Sequence, residues 1–351
     1  MATIVAETLA LLQRGDSASA HGLIDAACAR GDGDALAMRA LWRVEGRWLP
    51  RDLAAARVDL AAANSIGAAR ILAGFLASGV GGARDWAGAL TMLDDWADRD
   101  PIAAGQRALI TAMAIDAHGD PLAWPTPEPL SDSPMIHALP GLLTPSECDL
   151  LASLSDRRLR PALIFHEGQK RFVADPVRDS DAAGFPIVSE WPAIHAINRR
   201  LAAASGTTVE QGETLQVLRY RPGQQYRVHL DAVPGLSNQR SLTLLVYLND
   251  DYTGGQTHFT RLPLSHRGRK GDGLLFANIL PDGRPDPMSE HAGLPVQSGI
   301  KLIASRWIRQ RPPDGPNGFG QHEATSPCPR CPTTNPAVMM RQPLCDRITL
   351  T

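Results

Sequence analysis

The chain has 351 residues, of which 44% are apolar, enough for two folded units with separate cores. A net charge of −2 without any long run of Lys or Arg gives no surface for a phosphate backbone, so no nucleic-acid partner is expected. No stretch approaches the roughly 20 apolar residues of a membrane span. The N-terminus also lacks a basic leader ahead of an apolar core, and the five cysteines (Cys28, Cys148, Cys328, Cys331 and Cys345) are odd in number and scattered. The expectation is a reduced, cytoplasmic protein with no membrane partner.

Residues 1–117 are Ala- and Leu-rich with few β-branched runs, the composition of short packed helices. A shift of 33 residues superposes Ala35 on Ala68, Trp42 on Phe75, Gly46 on Gly79, Asp52 on Asp85, Ala56 on Ala89 and Leu60 on Leu93. That period is close to the ~34 residues of a helix–turn–helix repeat. Residues 1–117 therefore resemble a tetratricopeptide or Sel-like solenoid.

Prolines from 121 to 140 forbid a continuous helix, which predicts a connector over 118–136 and a second domain over 137–313. Thr144-Pro145-Ser146-Glu147 has the hydroxyl, proline and carboxylate of a capping box and predicts a helix through Leu154. A further helix is expected near Trp191 to Ala204. Period-two patterns then begin: ETLQVLRYR, RSLTLLVYLN, GDGLLFA and IKLIASRWIRQ, separated by Gly, Pro and Asp turns, predict an antiparallel β domain. Residues 314–351 read as a flexible tail. Within it Cys328-Pro-Arg-Cys331 has the spacing of half a zinc site, with only Cys345 and His322 left to finish a shell, which argues against zinc.

His229-Leu230-Asp231 follows a strand-like segment, and alternation puts an imidazole and a carboxylate on one face. A second histidine from a distant strand, His291, would complete a two-His, one-carboxylate set, which on Fe(II) leaves positions open for oxygen activation. The spacing alone is weak, because ten histidines yield about one His-x-Asp by chance. His118-Gly119-Asp120 is such a decoy, set in the connector where Gly and Asp form turns. His229 is favoured because Lys301 stands ten residues after His291 at the head of an alternating strand, where a cation can meet a dicarboxylate. His258 and His266 are read as structural.

Taken in order, YRPGQQYRVHLD, RSLTLLVYLNDDYTGGQTHF and KGDGLLFANILPDGRPDPMSEHAGLPVQSGIKLIASRWIRQ resemble the catalytic domain of the prolyl 4-hydroxylase family, over about residues 137–311. The resemblance implies a double-stranded β-helix (jelly-roll) oxygenase domain, and with the helical repeat domain read ahead of it the expected fold class is α+β multidomain. It implies Fe(II) held by His229, Asp231 and His291, and 2-oxoglutarate held by Lys301 with Tyr220 and Tyr247. Ascorbate is an optional further cofactor. Tyr226, Arg240, Trp307 and Arg309 match the lining of the family's substrate cleft, and Thr257 and Phe259 lie on a neighbouring strand.

Two positions depart from the family pattern: Ala277 precedes Asn278 where an aromatic is frequent, and Val228 precedes His229 where Pro is common. Neither touches the ligand set. The activity implied is dioxygenase hydroxylation of a C–H bond, first of peptidyl proline, with release of succinate and CO2. Asp231 itself favours hydroxylation over halogenation, since a small residue there could admit halide. A peptide or protein substrate recruited by the repeats is the expected partner. Hydroxylation of a free amino acid or other small molecule, and a non-catalytic adaptor, are the competing readings; the intact ligand set opposes the second.

Overall fold

The computed structural model describes residues 3–166, 171–174, 177–233 and 235–312. The expected tail with Cys328, Cys331 and Cys345 lies outside them. Among the described residues the chain forms two units, 3–119 with Pro186–Ala196, and Asp120–Phe185 with 197–312.

The first unit opens with seven helices: α1 (Ile4–Gln13), α2 (Ser17–Ala29), α3 (Gly33–Glu45), α4 (Leu53–Ala63), α5 (Ile66–Ser78), α6 (Trp86–Trp96) and α7 (Pro101–Ala112). Each starts at a Thr, Ser or Asp whose side chain accepts a backbone N–H of the first turn, satisfying a donor that the helix leaves free. Each helix packs on the next. The bounds of α3 and α4 recur 33 residues later as those of α5 and α6, and Gly46 and Gly79 end α3 and α5 with positive φ of 66° and 78°. Ala35, Ala40, Ala68 and Ala73 are fully buried, so the helices meet along small side chains. Two buried carboxylates are paired: Asp100 takes Arg70 through two bonds of 2.7 Å, and Asp59 takes both Arg39 and Arg43.

In the second unit follow β1 (Glu128–Asp132), β2 (Met135–Leu139), α8 (Pro145–Asp156), β3 (Arg160–Pro161), β4 (Leu163–His166), β5 (Arg171–Ala174) and β6 (Asp181–Phe185). Helix α9 (Pro192–Ala204), whose residues up to Ala196 belong to the first unit, comes next, then β7 (Leu215–Tyr220), β8 (Tyr226–His229), β9 (Arg240–Tyr247), β10 (Thr253–Gly254), β11 (Thr257–Phe259) and β12 (Leu264–His266). The last strands are β13 (Gly273–Ala277), β14 (His291–Gly293), β15 (Val296–Ser298) and β16 (Lys301–Arg309). The capping box at Thr144 and Glu147 forms in full. The segment expected as a connector instead carries β1 and runs into β2, which pairs with β13; Pro129 is compatible with this because β1 is an edge strand, where a missing N–H is tolerated.

Eight strands form one sheet in the order β1-β2-β13-β9-β16-β7-β6-β3, four form another in the order β12-β11-β14-β8, and β10-β15 and β4-β5 are separate pairs. All named pairings are antiparallel. Tyr220, Tyr247, Phe276 and Ile303 of the large sheet share a buried cluster with Phe259 of the small one. Strand β16 lies between β9 and β7 and is buried almost throughout, as expected of a strand covered on both faces. Its alternation divides two tasks. Lys301, Ile303, Ser305 and Trp307 line a cavity, while Arg306 on the other face bonds to Asn198 of α9 and to Val209 O.

Candidate metal centre

Strands β14 and β8 pair with His291 directly opposite His229, and the two ring centroids are 4.3 Å apart. Asp231 follows two residues after His229, buried at 4% exposure. His229 Nε2 lies 3.5 Å from Asp231 Oδ1, and His291 Nε2 lies 3.7 Å from Asp231 Oδ2. These separations are too long for good hydrogen bonds. One donor atom from each of the three residues lies within 4.8 Å of the others.

The other ring nitrogens explain the orientation. His229 Nδ1 is 2.7 Å from Arg227 O, and His291 Nδ1 is 2.9 Å from Ser289 O. A carbonyl can only accept, so each Nδ1 carries the proton and each Nε2 presents a lone pair toward the carboxylate. His229 Nε2 is buried without a hydrogen-bond partner. Two lone pairs and an anion converging at a buried point repel one another unless a cation sits among them, so this donor set fits a divalent metal of the kind that two imidazoles and a carboxylate hold.

Electrostatics agree. Burial opposes ionisation of Asp231, yet its polar surroundings, in which the Thr243 hydroxyl donates to Oδ2, hold its carboxyl well below the usual range. Burial lowers the His291 pKa and keeps the ring neutral, against the pull of Asp231. The ring is clamped by Phe276 at 4.8 Å and Phe259 at 5.7 Å between centroids.

Tyr226 stacks on His229 at 3.6 Å with the rings 15° from parallel. Strict alternation would put residues three apart on opposite faces. The register answers this: β8 spends three steps between the partners of His291 and Gly293, which are two apart. The extra residue is a β-bulge, and it returns Tyr226 to the side of His229.

Lys301 lies in the same cavity, 4% exposed, with its Nζ donating to Gly255 O at 2.7 Å. Among the described residues no carboxylate pairs with it. Burial, with a smaller push from Arg267, lowers its pKa to about 7. Gly255 has φ +66°, and a Cβ there would come within 3.2 Å of Lys301 Cδ and 3.3 Å of Tyr252 Cε2. Tyr220 sits opposite Lys301 in the β7 register. The Tyr220 and Tyr247 rings lie 5.6 and 5.7 Å from its ammonium. Burial raises the Tyr247 pKa and keeps the phenol neutral; its hydroxyl contacts Thr257 Oγ1 at 3.3 Å.

The remaining expected site residues divide. Tyr226 and Trp307 line the cavity, and the buried Trp307 indole N–H has no hydrogen-bond partner. Arg240 and Arg309 have an internal partner that sequence reasoning missed: Glu213 takes Arg240 through bonds of 2.7 and 2.8 Å and Arg309 at 2.7 Å. The Arg240 guanidinium lies 3.9 Å over the Trp307 ring, so the pair stiffens one cavity wall. Thr243, which donates to Asp231 Oδ2 at 2.6 Å, was missed as well. The decoy stays apart, with Asp120 paired to Arg199. His258 is bonded to Ser265 Oγ at 2.8 Å, and neither it nor His266 joins the cluster.

Comparison with known proteins gives concordant matches. The 2OG-Fe(II) oxygenase superfamily model matches residues 215–309. Prolyl 4-hydroxylase 1 of Arabidopsis thaliana is 36% identical over 207 residues, 53% of this chain and 72% of the relative. Probable prolyl 4-hydroxylase 4 of the same plant is 33% identical over 205 residues, 51% of this chain and 68% of the relative. A solved viral collagen prolyl hydroxylase from Paramecium Bursaria Chlorella virus-1, in its 2OG complex, is 28% identical, covering 51% of this chain and 98% of its own, with a TM-score of 0.41.

Proposed function

This chain belongs to the prolyl 4-hydroxylase family of 2OG-Fe(II) oxygenases, and from that premise we propose that it hydroxylates proline in a peptide or protein, with His229, Asp231 and His291 as the iron ligands. It is a 2-oxoglutarate-dependent dioxygenase. Fe(II), 2-oxoglutarate and dioxygen supply the chemistry: the 2-oxo acid is split to succinate and CO2, one oxygen atom entering succinate and the other the substrate C–H bond.

The protein's part is to bind, aim and exclude water. Lys301 receives the distal carboxylate of 2-oxoglutarate. A buried ammonium whose hydrogen bond goes to a neutral carbonyl is costly until an anion meets it, and the rings of Tyr220 and Tyr247 flank the same spot. Tyr226 and Trp307 wall the cavity for the substrate, with Arg240 and Arg309 fixed behind by Glu213. Ascorbate is retained as an optional cofactor on the family resemblance alone.

The two sheets are read as a double-stranded β-helix, and residues 1–117 as a solenoid that recruits the substrate protein, a reading supported by the 33-residue recurrence of helix bounds. Domain limits of 1–117, 118–136, 137–313 and 314–351, and a cytoplasmic setting supported by the unpaired Cys28 and Cys148, belong to the same proposal.

One observation carries the assignment: two Nε2 lone pairs, one carboxylate and one lysine that has no carboxylate partner among the described residues face a single cavity. Anaerobic titration of Fe(II) with 2-oxoglutarate tests it. A visible charge-transfer band requiring both components, present in the wild type and lost in His229→Ala, is the expected result; a wild type that shows no band would overturn the catalytic reading.

A further inference from the structure

Thr243 lies on β9 and is 1% exposed; Asn278 follows β13 and is fully buried. The register of β13 on β9 sets Phe276 opposite Thr243, which brings Asn278 into reach two residues later. Asn278 Nδ2 donates to Thr243 Oγ1 at 2.8 Å, and Thr243 Oγ1 donates to Asp231 Oδ2 at 2.6 Å. The direction of both bonds is forced. An ionised carboxylate only accepts, so the hydroxyl must donate to it, and the hydroxyl lone pair must then receive the amide N–H.

The same asparagine reaches the second histidine through its backbone. Asp286 N donates to Asn278 O at 2.9 Å, Ser289 Oγ donates to Asp286 O at 2.7 Å, and Ser289 O receives His291 Nδ1–H at 2.9 Å. Asn278 thus ties the carboxylate to the segment that aims His291.

We propose that Thr243 and Asn278 are a positioning pair that fixes the rotation of the Asp231 carboxylate, engaging Oδ2 and turning Oδ1 toward His229 Nε2 for the metal. This rests on reading His229, Asp231 and His291 as the ligands. The pair is a poor choice for packing alone, since Asn278 Oδ1 is buried without a hydrogen-bond partner. A half-satisfied buried amide weighs against the fold, and an apolar side chain of similar shape would relieve it. What the amide gives in return is orientation of the ligand: without it the threonine hydroxyl can turn away, and the carboxylate can swing about its Cβ–Cγ bond.

The experiment uses the full chain and Co(II), added anaerobically, as the probe. Metal affinity, the visible Co(II) spectrum and the melting temperature of the metal-free protein are measured for wild type, Thr243→Val, Thr243→Ser and Asn278→Leu. Thr243→Val and Asn278→Leu are expected to bind Co(II) about 10- to 100-fold more weakly, with altered spectra. Thr243→Ser, which keeps the hydroxyl, should stay within about threefold of wild type. Metal-free Asn278→Leu should melt at or above the wild-type temperature, which separates a positioning role from a structural one and serves if Thr243→Val fails to fold. Wild-type affinity and spectrum in Asn278→Leu, or loss of binding only in step with loss of melting temperature, would overturn the proposal. A wild type that binds no Co(II) would instead remove the ligand assignment beneath it.

Discussion

Lys301 shows how one residue can set a pH limit. Its pKa falls from 10.5 to about 7 in the folded chain because burial strips water from the ammonium. Between those values the unfolded chain holds the proton and the folded chain does not, so the stability of the ligand-free protein should rise with pH across that window. The slope should vanish in Lys301→Met, as equilibrium unfolding at several pH values would show. Binding of 2-oxoglutarate requires the charged form and runs the other way: its affinity should fall by about tenfold per pH unit above ~7 in wild type, and a flat profile between pH 7 and 9 would contradict a role for Lys301 in holding the distal carboxylate. The types and spacing of His229, Asp231, His291 and Lys301 were legible in the chain because metal and anion binding need scarce groups in a fixed pattern. Glu213, Thr243 and Asn278 were not. Each acts through a partner reached only by strand register or by a turn, and sequence carries little trace of register.

At the scale of elements, the helices were legible where caps and small residues repeat, and the long strands where period two is clean. Strand β1 was hidden by proline, since an edge strand tolerates what an interior one excludes. The bulge in β8 was hidden as well: alternation counted from His229 turns Tyr226 to the wrong face, and only the pairing with β14 corrects it. Buried charge supplies the test here. The Arg70 and Asp100 side chains are 9% and 1% exposed, and Asp100→Ala leaves a guanidinium buried without its counter-charge while also removing the α7 cap. The expected loss is about 3–5 kcal/mol by chemical denaturation. Replacing both partners, as in Arg70→Met with Asp100→Ser, should cost less than the single change; a single change worth under about 1 kcal/mol would mean that the pair is solvated.

For the whole molecule, composition implied two units, and the contact grouping adds what chain order hides: residues 186–196 belong with the helices of the first unit. Such a return leaves no mark in local periodicity. Ligand linkage gives a global readout. With the metal present throughout, 2-oxoglutarate at about 100 times its dissociation constant should stabilise the folded state that holds it by ~2.7 kcal/mol. Hydrogen exchange should therefore slow by up to about 100-fold in the strands that carry the site, β7, β8, β9, β14 and β16, where exchange requires the site to open. Unchanged exchange in those strands at saturating ligand would place binding elsewhere.

The contact of Lys301 with Gly255 reaches further than one hydrogen bond. Its acceptor is a peptide carbonyl, so no side-chain exchange at Gly255 deletes the acceptor as such; on that side only a change in the path of the main chain can move it. That path runs through two consecutive glycines with positive φ, Gly254 and Gly255, a conformation that L side chains rarely adopt. Two separate features therefore set where the ammonium stands in the cavity, the lysine itself and the glycine pair. A mutational search for variants that accept a shorter or longer diacid should find hits at 254 and 255 as well as at 301, because bending the loop moves the ammonium without altering its charge.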